Sequence, residues 1–287
     1  MKLPQGRAVR TMLIALVVAA VVLGGKAFWI EPASLTVVEH ALELPRWPEP
    51  LAGLRVAVLA DLHVGSPYNG LDNLRRVVEL TAEQQPDLVL VPGDVVINNV
   101  FAGSFVPPEE TAAVLAELNP PLGILAVLGN HDHWSDASRV AAALRGAGIP
   151  VLEDESVELE FEGTTFRVVG VSDFWEGEHD IGAAMEEVPP GAPTILFTHN
   201  PDLFPEVPNR VALTVAGHTH GGQVRLPLLG RPITFSRYGQ RYAAGHVAEE
   251  GRHLFVSTGI GTSVFPVRFR VPPEISILVL HPERGAP

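Results

Sequence analysis

Acidic, amide and histidine side chains that can hold metal ions follow five separate strand-like runs of this sequence. In chain order they are Asp61 and His63, Asp94, Asn130 and His131, His199, and His218 and His220. The carboxyl ends of the strands in an open α/β sheet border the crevice in which ligands bind. We therefore expect these side chains to converge on one rim.

The residue types in these groups are those of a centre with two divalent metal ions. Carboxylate and imidazole ligands suit manganese, iron, cobalt or zinc, and one carboxylate can bridge two ions about 3.5–4 Å apart. The sequence contains no cysteine, which excludes disulfides, thiolate zinc sites and cysteine catalysis. We expect two ions, with manganese preferred and iron, zinc or cobalt as alternatives.

The elements that must position these groups alternate between apolar runs and amphipathic segments. Apolar runs of strand length cover residues 54–60, 87–92 and 123–128, and helical spacing covers 71–84, 108–118 and 135–144. Further strands are expected at 35–44, 157–161, 165–171, 194–197, 211–215, 254–257 and 275–280. The pattern predicts an α/β domain in which two packed sheets form a sandwich flanked by helices.

Taken together and in order, the five groups resemble the motifs of the calcineurin-like metallophosphoesterase superfamily: D-x-H, G-D, G-N-H-[DE], a later histidine and G-H-x-H. The resemblance implies the two-sheet fold of that family and metal-dependent hydrolysis of phosphoesters. It also implies that a hydroxide bridging the ions is the nucleophile. His131 would act near the leaving oxygen, as general acid or as a stabiliser of the transition state. The implied ligands are Asp61, His63 and His220 for one ion, Asn130, His199 and His218 for the other, and Asp94 for both.

One position departs from the family pattern. Many members carry an acid three residues after the aspartate of the G-D motif, where it orients the catalytic histidine. Here that position is Ile97. Asn98, Asn99 or Asp132 could take over that role. The departure concerns the orientation and the pKa of His131 and does not affect the metal ligands.

The N-terminal part of the chain differs in composition from the rest. Residues 11–30 are apolar or small apart from one basic residue, and the first 30 residues carry four basic and no acidic side chains. An apolar stretch of this length, preceded by basic residues, fits an uncleaved membrane span or a cleaved signal segment. The basic flank predicts that the rest of the chain lies outside the cytoplasm. We expect an anchor or signal in residues 1–30, a connector and outer strand in 31–50, and the metallophosphoesterase domain in 51–287.

Charge limits the partners of the protein. The chain carries 20 basic and 33 acidic side chains, a formal net charge of −13. So acidic a body repels the phosphate backbone of nucleic acids. We expect no nucleic-acid partner, a monomer, and a membrane contact through the N-terminal segment.

A segment rich in arginine follows the last metal motif. Its Arg231, Arg237, Tyr238 and Arg241 are candidates for binding the substrate, because arginine forks match phosphate oxygens. The alternative is that these arginines pair with carboxylates of this acidic protein.

Three functions are open at this point. Residues 51–280 with the N-terminal segment resemble the membrane-anchored bacterial branch of the family. That resemblance implies cleavage of a phosphodiester or of a lipid-linked pyrophosphate such as UDP-2,3-diacylglucosamine, in lipid A synthesis. This lipid is made in the cytoplasm, whereas the basic flank predicts an extracytoplasmic body. The second candidate is therefore a cell-envelope phosphodiesterase acting on wall polymer or phospholipid head groups, and the third is an inactive, metal-stabilised binding protein.

Overall fold

Two β-sheets stacked face to face, with helices outside them, form the body of the chain. The computed structural model describes residues 5–283, so residues 1–4 of the expected anchor and 284–287 of the expected hydrolase domain lie outside it. The strands are β1 (Thr36–Leu44), β2 (Leu54–Val58), β3 (Leu88–Pro92), β4 (Ile124–Val127), β5 (Glu155–Phe161), β6 (Thr164–Val171), β7 (Thr194–Thr198), β8 (Leu213–Ala216), β9 (Gly245–Glu249), β10 (Arg252–Val256) and β11 (Glu274–Pro282). The helices are α1 (Gln5–Gly25), α2 (Leu71–Glu83), α3 (Pro108–Leu115), α4 (Asn130–Gly146) and α5 (Ile181–Ala184).

The sheets combine parallel centres with antiparallel neighbours. The first sheet has the strand order β1-β11-β2-β3-β4 and the second has the order β5-β6-β7-β8-β10-β9. β2, β3 and β4 are parallel neighbours, and so are β6, β7, β8 and β10. Parallel neighbours need crossover connections, which α2 and α3 provide between β2, β3 and β4. The structure confirms the predicted two-sheet α/β sandwich.

Aromatic and aliphatic side chains fill the space between the two sheets. Phe166 of β6, Phe197 of β7 and Phe255 of β10 are buried there together with Trp47, whose ring meets that of Phe166 edge to face at 5.8 Å. A second apolar cluster lies where α2, α3 and α4 pack on the outer face of the first sheet. Because β2 and β3 are covered on both faces, their sequences are nearly continuous apolar runs.

α4, α5 and β9 differ from the sequence-based expectation, and the short α5 was not predicted. α4 begins at Asn130 rather than at residue 135, because the carboxylate of Asp132 accepts a hydrogen bond from the N–H of Gly129 (3.0 Å) and so satisfies a backbone donor at the start of the helix. The helix is interrupted at Asp136, whose φ is −168° and ψ is 88°. The G-N-H motif therefore lies at a helix N-terminus. β9 was not predicted: it forms the edge of the second sheet and lacks a continuous apolar run.

α1 continues into a wider helical turn, Lys26–Ile30, that contacts the two-sheet body. The segment Arg7–Ile30, 24 residues long, is apolar enough to cross a membrane. The carbonyl of Ala27 accepts a hydrogen bond from the N–H of Arg268 (2.9 Å), and that of Phe28 accepts one from the hydroxyl of Tyr68 (3.0 Å). The helix therefore meets the body at the loop that precedes β11.

Phe197→Ala should destabilise the sandwich, because Phe197 is fully buried between the sheets. Truncating a buried phenylalanine to alanine costs about 3–5 kcal/mol, so we expect a lower thermal midpoint of the full chain in detergent, followed by circular dichroism. Phe161→Ala is the matched control, since Phe161 is only partly buried at the end of β5 and should cost less than half as much. Equal losses in the two variants would contradict the assigned core.

Candidate metal centre

The side chains predicted to converge lie in one buried crevice at the strand ends. In the first sheet, Asp61 and His63 follow β2, Asp94 follows β3, and Asn130 and His131 follow β4. In the second sheet, His199 follows β7, and His218 and His220 follow β8. All of these residues are buried. Both sheets thus supply the site, which lies where their strand ends meet.

Several of these residues hold the left-handed backbone conformation that residues other than glycine seldom adopt. The φ angles are 50° at Asp61, 41° at His63, 55° at Asp94, 69° at His218 and 50° at His220. Each such residue costs about 1–2 kcal/mol relative to the ordinary helical conformation. This strain turns short side chains back toward the crevice, and the surrounding contacts have to maintain it.

Two glycines let the G-D and G-N-H loops approach each other closely. A Cβ atom on Gly129 would lie 2.6 Å from the backbone nitrogen of Asp94, and one on Gly93 would lie 2.9 Å from Nδ1 of His199. Gly93 also has a φ of 80°, which side chains disfavour. Both positions therefore need glycine if the two loops are to meet.

Asp61, His63, Asp94 and His220 form one candidate ion site, since one ligand atom of each lies within 4.8 Å of the others. The Nε2 atoms of His63 and His220 face each other at 3.0 Å, and Oδ2 of Asp94 lies 3.3 Å from Nε2 of His63. Oδ2 of Asp61 is buried and has no hydrogen-bond partner among residues 5–283. A buried carboxylate oxygen without a donor is costly unless a cation neutralises it. The group fits a divalent ion.

Asn130, His199 and His218 form a second candidate site, in which backbone carbonyls select the histidine tautomers. Nδ1 of His199 donates to the carbonyl of Pro92 (2.8 Å), and Nε2 of His218 donates to the carbonyl of Phe235 (3.2 Å). When both rings are neutral, their other nitrogens carry lone pairs, and these nitrogens lie 3.0 Å apart. Oδ1 of Asn130 is 3.0 Å from the first and 2.9 Å from the second. Three acceptor atoms this close need a cation or a proton between them.

Asp94 lies between the two groups. Its Oδ2 is 3.3 Å from Nε2 of His63 and 3.4 Å from Nε2 of His199, while its Oδ1 accepts a hydrogen bond from the N–H of His131 (2.8 Å). One carboxylate oxygen thus faces both candidate sites, as a bridging ligand must. The oxygen and imidazole donors, without sulfur, suit two divalent cations.

Burial sets the pKa values of the carboxylates in the crevice. It raises the pKa of Asp61 to about 6 and raises the pKa of Asp94 well above its ordinary value. Both shifts make the metal-free site reluctant to hold two negative charges. A bound cation would reverse this preference, because it stabilises the ionised form.

Burial also divides the histidines into two classes. It lowers the pKa values of three of them well below the ordinary value, those of His63, His218 and His220. Burial alone would lower the pKa of His199 too, but the carboxylates of Asp94, Asp173 and Asp61 raise it to about 9. In the metal-free protein the His199 ring is therefore a positively charged imidazolium at neutral pH. Its charge partly takes the place of the cations.

His131 borders the first group without facing it as a ligand. Its ring meets that of His63 edge to face at 4.6 Å, packs against Trp134 at 5.0 Å, and has Nε2 3.3 Å from the hydroxyl of Ser263. Burial, with a contribution from the charge of His199, lowers the pKa of His131 to about 4. The imidazole is therefore neutral at neutral pH.

Of the residues that could compensate for Ile97, Asn98 lies beside His131, and a backbone interaction with Asn98 acts to raise the pKa of His131. Ile97 itself is buried. The side chains of Asn98 and Asn99 hydrogen-bond to each other (2.6 Å). The carboxylate of Asp132 accepts hydrogen bonds from backbone N–H groups of both loops, those of Val95, Val96 and Gly129. Asp132 therefore ties the loops together, and the neighbours of the His131 ring are Trp134, Ser263 and the backbone of Asn98.

A cavity of about 320 Å³ opens onto ligands of both groups. Its walls include Trp134, Trp175 and Phe235. The ring of Trp175 contacts that of His218 edge to face at 4.3 Å, and Nε1 of Trp134 donates to the carboxylate of Glu176 (2.7 Å). Sequence reasoning did not assign these aromatic walls to the site. The proximity of Trp134 to the G-N-H motif was the available signal, whereas Trp175 and Phe235 belong to no motif.

The four residues predicted to bind substrate lie on the segment that follows His220, and they do not line this cavity. Nε of Arg231 donates to the carbonyl of Gly221 (2.7 Å), and the guanidinium of Arg237 lies 4.7 Å from the ring centre of Phe174. Tyr238 packs against Tyr242 at 4.9 Å, and Arg241 makes two hydrogen bonds to Glu249 (2.7 Å each). Arg241 thus pairs with a carboxylate, as the alternative interpretation held.

Asp202, which sequence reasoning left unassigned, holds the start of this segment. Its carboxylate accepts hydrogen bonds from the hydroxyl of Ser236 (2.5 Å) and the N–H of Arg237 (2.8 Å). Both donors adjoin Phe235, whose carbonyl orients His218. The H-N-P-D sequence after β7 therefore supplies one candidate ligand, His199, and a support for another candidate, His218.

Comparison with known proteins agrees with this arrangement. The sequence model named "Calcineurin-like phosphoesterase" matches residues 54–222. The chain is 31% identical to phosphodiesterase YaeI of Escherichia coli (strain K12), over 89% of this chain and 92% of that protein. It is 29% identical to the uncharacterized metallophosphoesterase YkuE of Bacillus subtilis (strain 168), over 97% of this chain and 98% of that protein. It is 26% identical to the UDP-2,3-diacylglucosamine pyrophosphatase LpxG of Chlamydia trachomatis serovar D, over 87% of this chain and 90% of that protein.

The raised pKa of His199 predicts that the stability of the metal-free protein depends on pH. A histidine whose pKa rises from 6.5 to about 9 on folding stabilises the folded state fully below pH 6.5, and this stabilisation is lost as the pH rises through 9. The raised pKa of Asp94 acts in the same direction, and that of Asp61 does so at lower pH, between 3.8 and about 6. We expect the free energy of unfolding in EDTA, from urea titrations, to fall by on the order of 3 kcal/mol between pH 6.5 and about 9.

His199→Gln is the control for this pH dependence, because it removes the titrating imidazole and should flatten the curve above pH 6.5. Saturation with manganese should flatten it as well, since a cation replaces the proton. A slope that persists unchanged in His199→Gln would show that another group is responsible.

Proposed function

Because the chain belongs to the calcineurin-like phosphoesterase family, we propose that it hydrolyses a phosphodiester or a diphosphate at a centre of two divalent ions. The family match over residues 54–222 establishes the general class, a metal-dependent phosphoester hydrolase. The observation that carries the proposal is the convergence of buried acceptor atoms in the crevice, above all the three that meet between Asn130, His199 and His218.

The proposed ligands divide into the two groups described above. Bound divalent cations would supply Lewis-acid activation of water and neutralise the charge that grows on the phosphoryl oxygens. Manganese is the preferred metal, with iron, zinc or cobalt as alternatives, because the donors are carboxylate, amide and imidazole. One ion would be held by Asp61, His63 and His220, the other by Asn130, His199 and His218, and Asp94 would be shared.

His131 lies where it can act on the leaving group. It lines the cavity beside Asp94, and its lowered pKa of about 4 keeps the ring neutral at neutral pH. A neutral imidazole still donates one N–H. We therefore assign it to a hydrogen bond that stabilises the leaving oxygen, with Ser263 and Trp134 holding the ring in place. This choice favours the stabiliser over the general acid among the two roles that the family resemblance implies.

Two observations support a lipid-linked substrate. A second cavity of about 290 Å³ with mostly apolar walls shares His220, Phe235, Ser263 and Val264 with the first cavity. α1 is long enough to cross a membrane and ends at the loop that carries Ser263 and Val264. The relative LpxG is named for UDP-2,3-diacylglucosamine, a diphosphate with acyl chains. We propose a substrate of that kind, as in lipid A synthesis. Arg231 and Arg237, whose guanidinium groups pair with no carboxylate among residues 5–283, are the candidates in the 231–241 segment for reaching its phosphates.

A cell-envelope phosphodiesterase acting on wall polymer or phospholipid head groups is the second candidate. Arg7 and Arg10 at the start of α1 favour it, because basic residues tend to stay on the cytoplasmic side of a span. A single span would then leave a monomeric body outside the cytoplasm. The name of the relative YaeI, a phosphodiesterase, agrees with a diester substrate.

Metal-dependent cleavage tests the proposed centre directly. The full chain in detergent is stripped of metal, reloaded with manganese, iron(II), zinc or cobalt, and given a bis-nitrophenyl phosphodiester or the matching monoester. Asp94→Asn should lose bound metal and, as a consequence, turnover. The metal content is measured by inductively coupled plasma mass spectrometry. His131→Ala should retain the metal and lower kcat by about 10²–10³-fold, the cost of losing one hydrogen-bond donor to the transition state. His133→Ala, a partly exposed neighbour, is the matched control and should change neither.

The outcomes separate the functions. Cleavage of UDP-2,3-diacylglucosamine in mixed micelles would support the lipid diphosphate, and cleavage of phosphatidylglycerol alone would support the envelope diester. Bound metal without cleavage of any of these substrates would favour an inactive, metal-stabilised binding protein. Full activity in His131→Ala would refute the role assigned to that residue.

A further inference from the structure

A band of exposed apolar side chains borders the cavities. We call it the apolar rim and define it as Phe101, Leu228, Leu229, Ile233, Val264 and Phe265. Leu228 is fully exposed and Leu229 is 70% exposed. These two leucines are the tip of a tight hairpin that is closed by backbone hydrogen bonds between Leu226 and Gly230 (2.7 and 3.0 Å). A contiguous apolar patch on a protein surface marks a contact with a partner or a membrane.

The rim is continuous with the end of α1. At the base of the leucine hairpin, the N–H of Arg225 donates to the carbonyl of Phe269 (2.8 Å), and Nζ of Lys26 lies 5.6 Å from the ring centre of Phe269. On the other side, the rings of Phe101 and Phe265 lie 6.2 Å apart. The rim and the C-terminal end of the apolar helix therefore occupy neighbouring parts of one face.

The side chains at the helix end are those of a membrane–water interface. Phe28 is 42% exposed and Trp29 is 64% exposed, and both follow directly after α1. Aromatic side chains at the end of a membrane span lie at the level of the lipid head groups. This places the head-group layer at the height of the rim.

Charge on this part of the chain is opposite to that of the whole protein. Residues 207–273 contain eight arginines and two glutamates, a net charge of +6, in a chain whose formal net charge is −13. Arg225 and Arg270 are exposed on either side of Phe269 and make no ion pair within residues 5–283. Each basic side chain near an anionic bilayer contributes about 1 kcal/mol of attraction.

We propose that the apolar rim lies in the interfacial layer of the bilayer that α1 crosses, with Arg225 and Arg270 at the phosphates of anionic lipids. A bilayer is the occupant that the helix end brings to this face, and apolar side chains flanked by arginines match its acyl and phosphate layers. The cavity mouths then open onto the membrane surface. The inference rests on the membrane span of the proposed function and is independent of the hydrolytic chemistry.

The absence of cysteine from the sequence makes the test direct, because single cysteines can carry a nitroxide spin label. Leu229→Cys and Phe265→Cys are placed in the full chain, in nanodiscs of phosphatidylglycerol and phosphatidylcholine. Collisions with oxygen, which concentrates in lipid, are compared with collisions with a water-soluble nickel complex. Val17→Cys in α1 reports on the span itself, and Glu160→Cys, exposed on β5 at the end remote from the crevice, is the aqueous control.

We expect the ratio of oxygen to nickel collisions at residues 229 and 265 to be several-fold higher than at residue 160. Arg225→Gln combined with Arg270→Gln should lower the ratio at residue 229. Values equal to those at residue 160, with a lipid-like value at residue 17, would overturn the proposal while leaving the span intact. Low collision rates with both reagents would also overturn it, since a second copy of the chain or another protein would then cover the rim.

Discussion

Two carboxylates buried away from water are the constraint on which the rest of this structure depends. Asp61 and Asp94 each use one oxygen to accept a hydrogen bond from a backbone N–H, that of His218 and that of His131 respectively. The other oxygen of Asp94 faces the imidazoles of His63 and His199, and the other oxygen of Asp61 has no hydrogen-bond partner within residues 5–283. An uncompensated buried charge costs several kcal/mol. The left-handed turns, the close glycines and the meeting of two sheets all serve to surround these oxygens with ligands for a cation.

The loop between β10 and β11 packs against Asp61 and also contacts the end of α1. The fully buried guanidinium of Arg268 donates hydrogen bonds to carbonyls of Thr258, Gly259 and Gly261. A Cβ atom on Gly259 would lie 2.8 Å from Cβ of Asp61, so the loop packs directly behind a ligand. The same arginine binds the end of α1 through its backbone N–H. The buried side chain and backbone of Arg268 thus connect the wall of the candidate metal centre to the end of α1.

The convergence of the candidate ligands was predictable because each follows an apolar strand by a few residues, and the carboxyl ends of such strands meet. What depends on distant parts of the chain was not predictable. Ser263 approaches His131 from a loop 132 residues away, and Trp175 meets His218 only through the fold. Asp132 adjoins the motif, yet its hydrogen bonds to the G-D loop follow from tertiary packing. β9 lies at an exposed sheet edge, and its sequence contains no apolar run that would predict a strand.

The pairing of β1 with β11 has a consequence for how the protein is made. The two strands run parallel from Thr36 beside Glu274 to Leu44 beside Pro282, so the first strand after the helix pairs with the last strand within residues 5–283. β11 also lies between β1 and β2. During synthesis from the N-terminus, β1 therefore remains an unpaired edge until β11 has emerged. A chain that stops before β11 would leave two strands without their neighbour, exposed to aggregation and proteolysis.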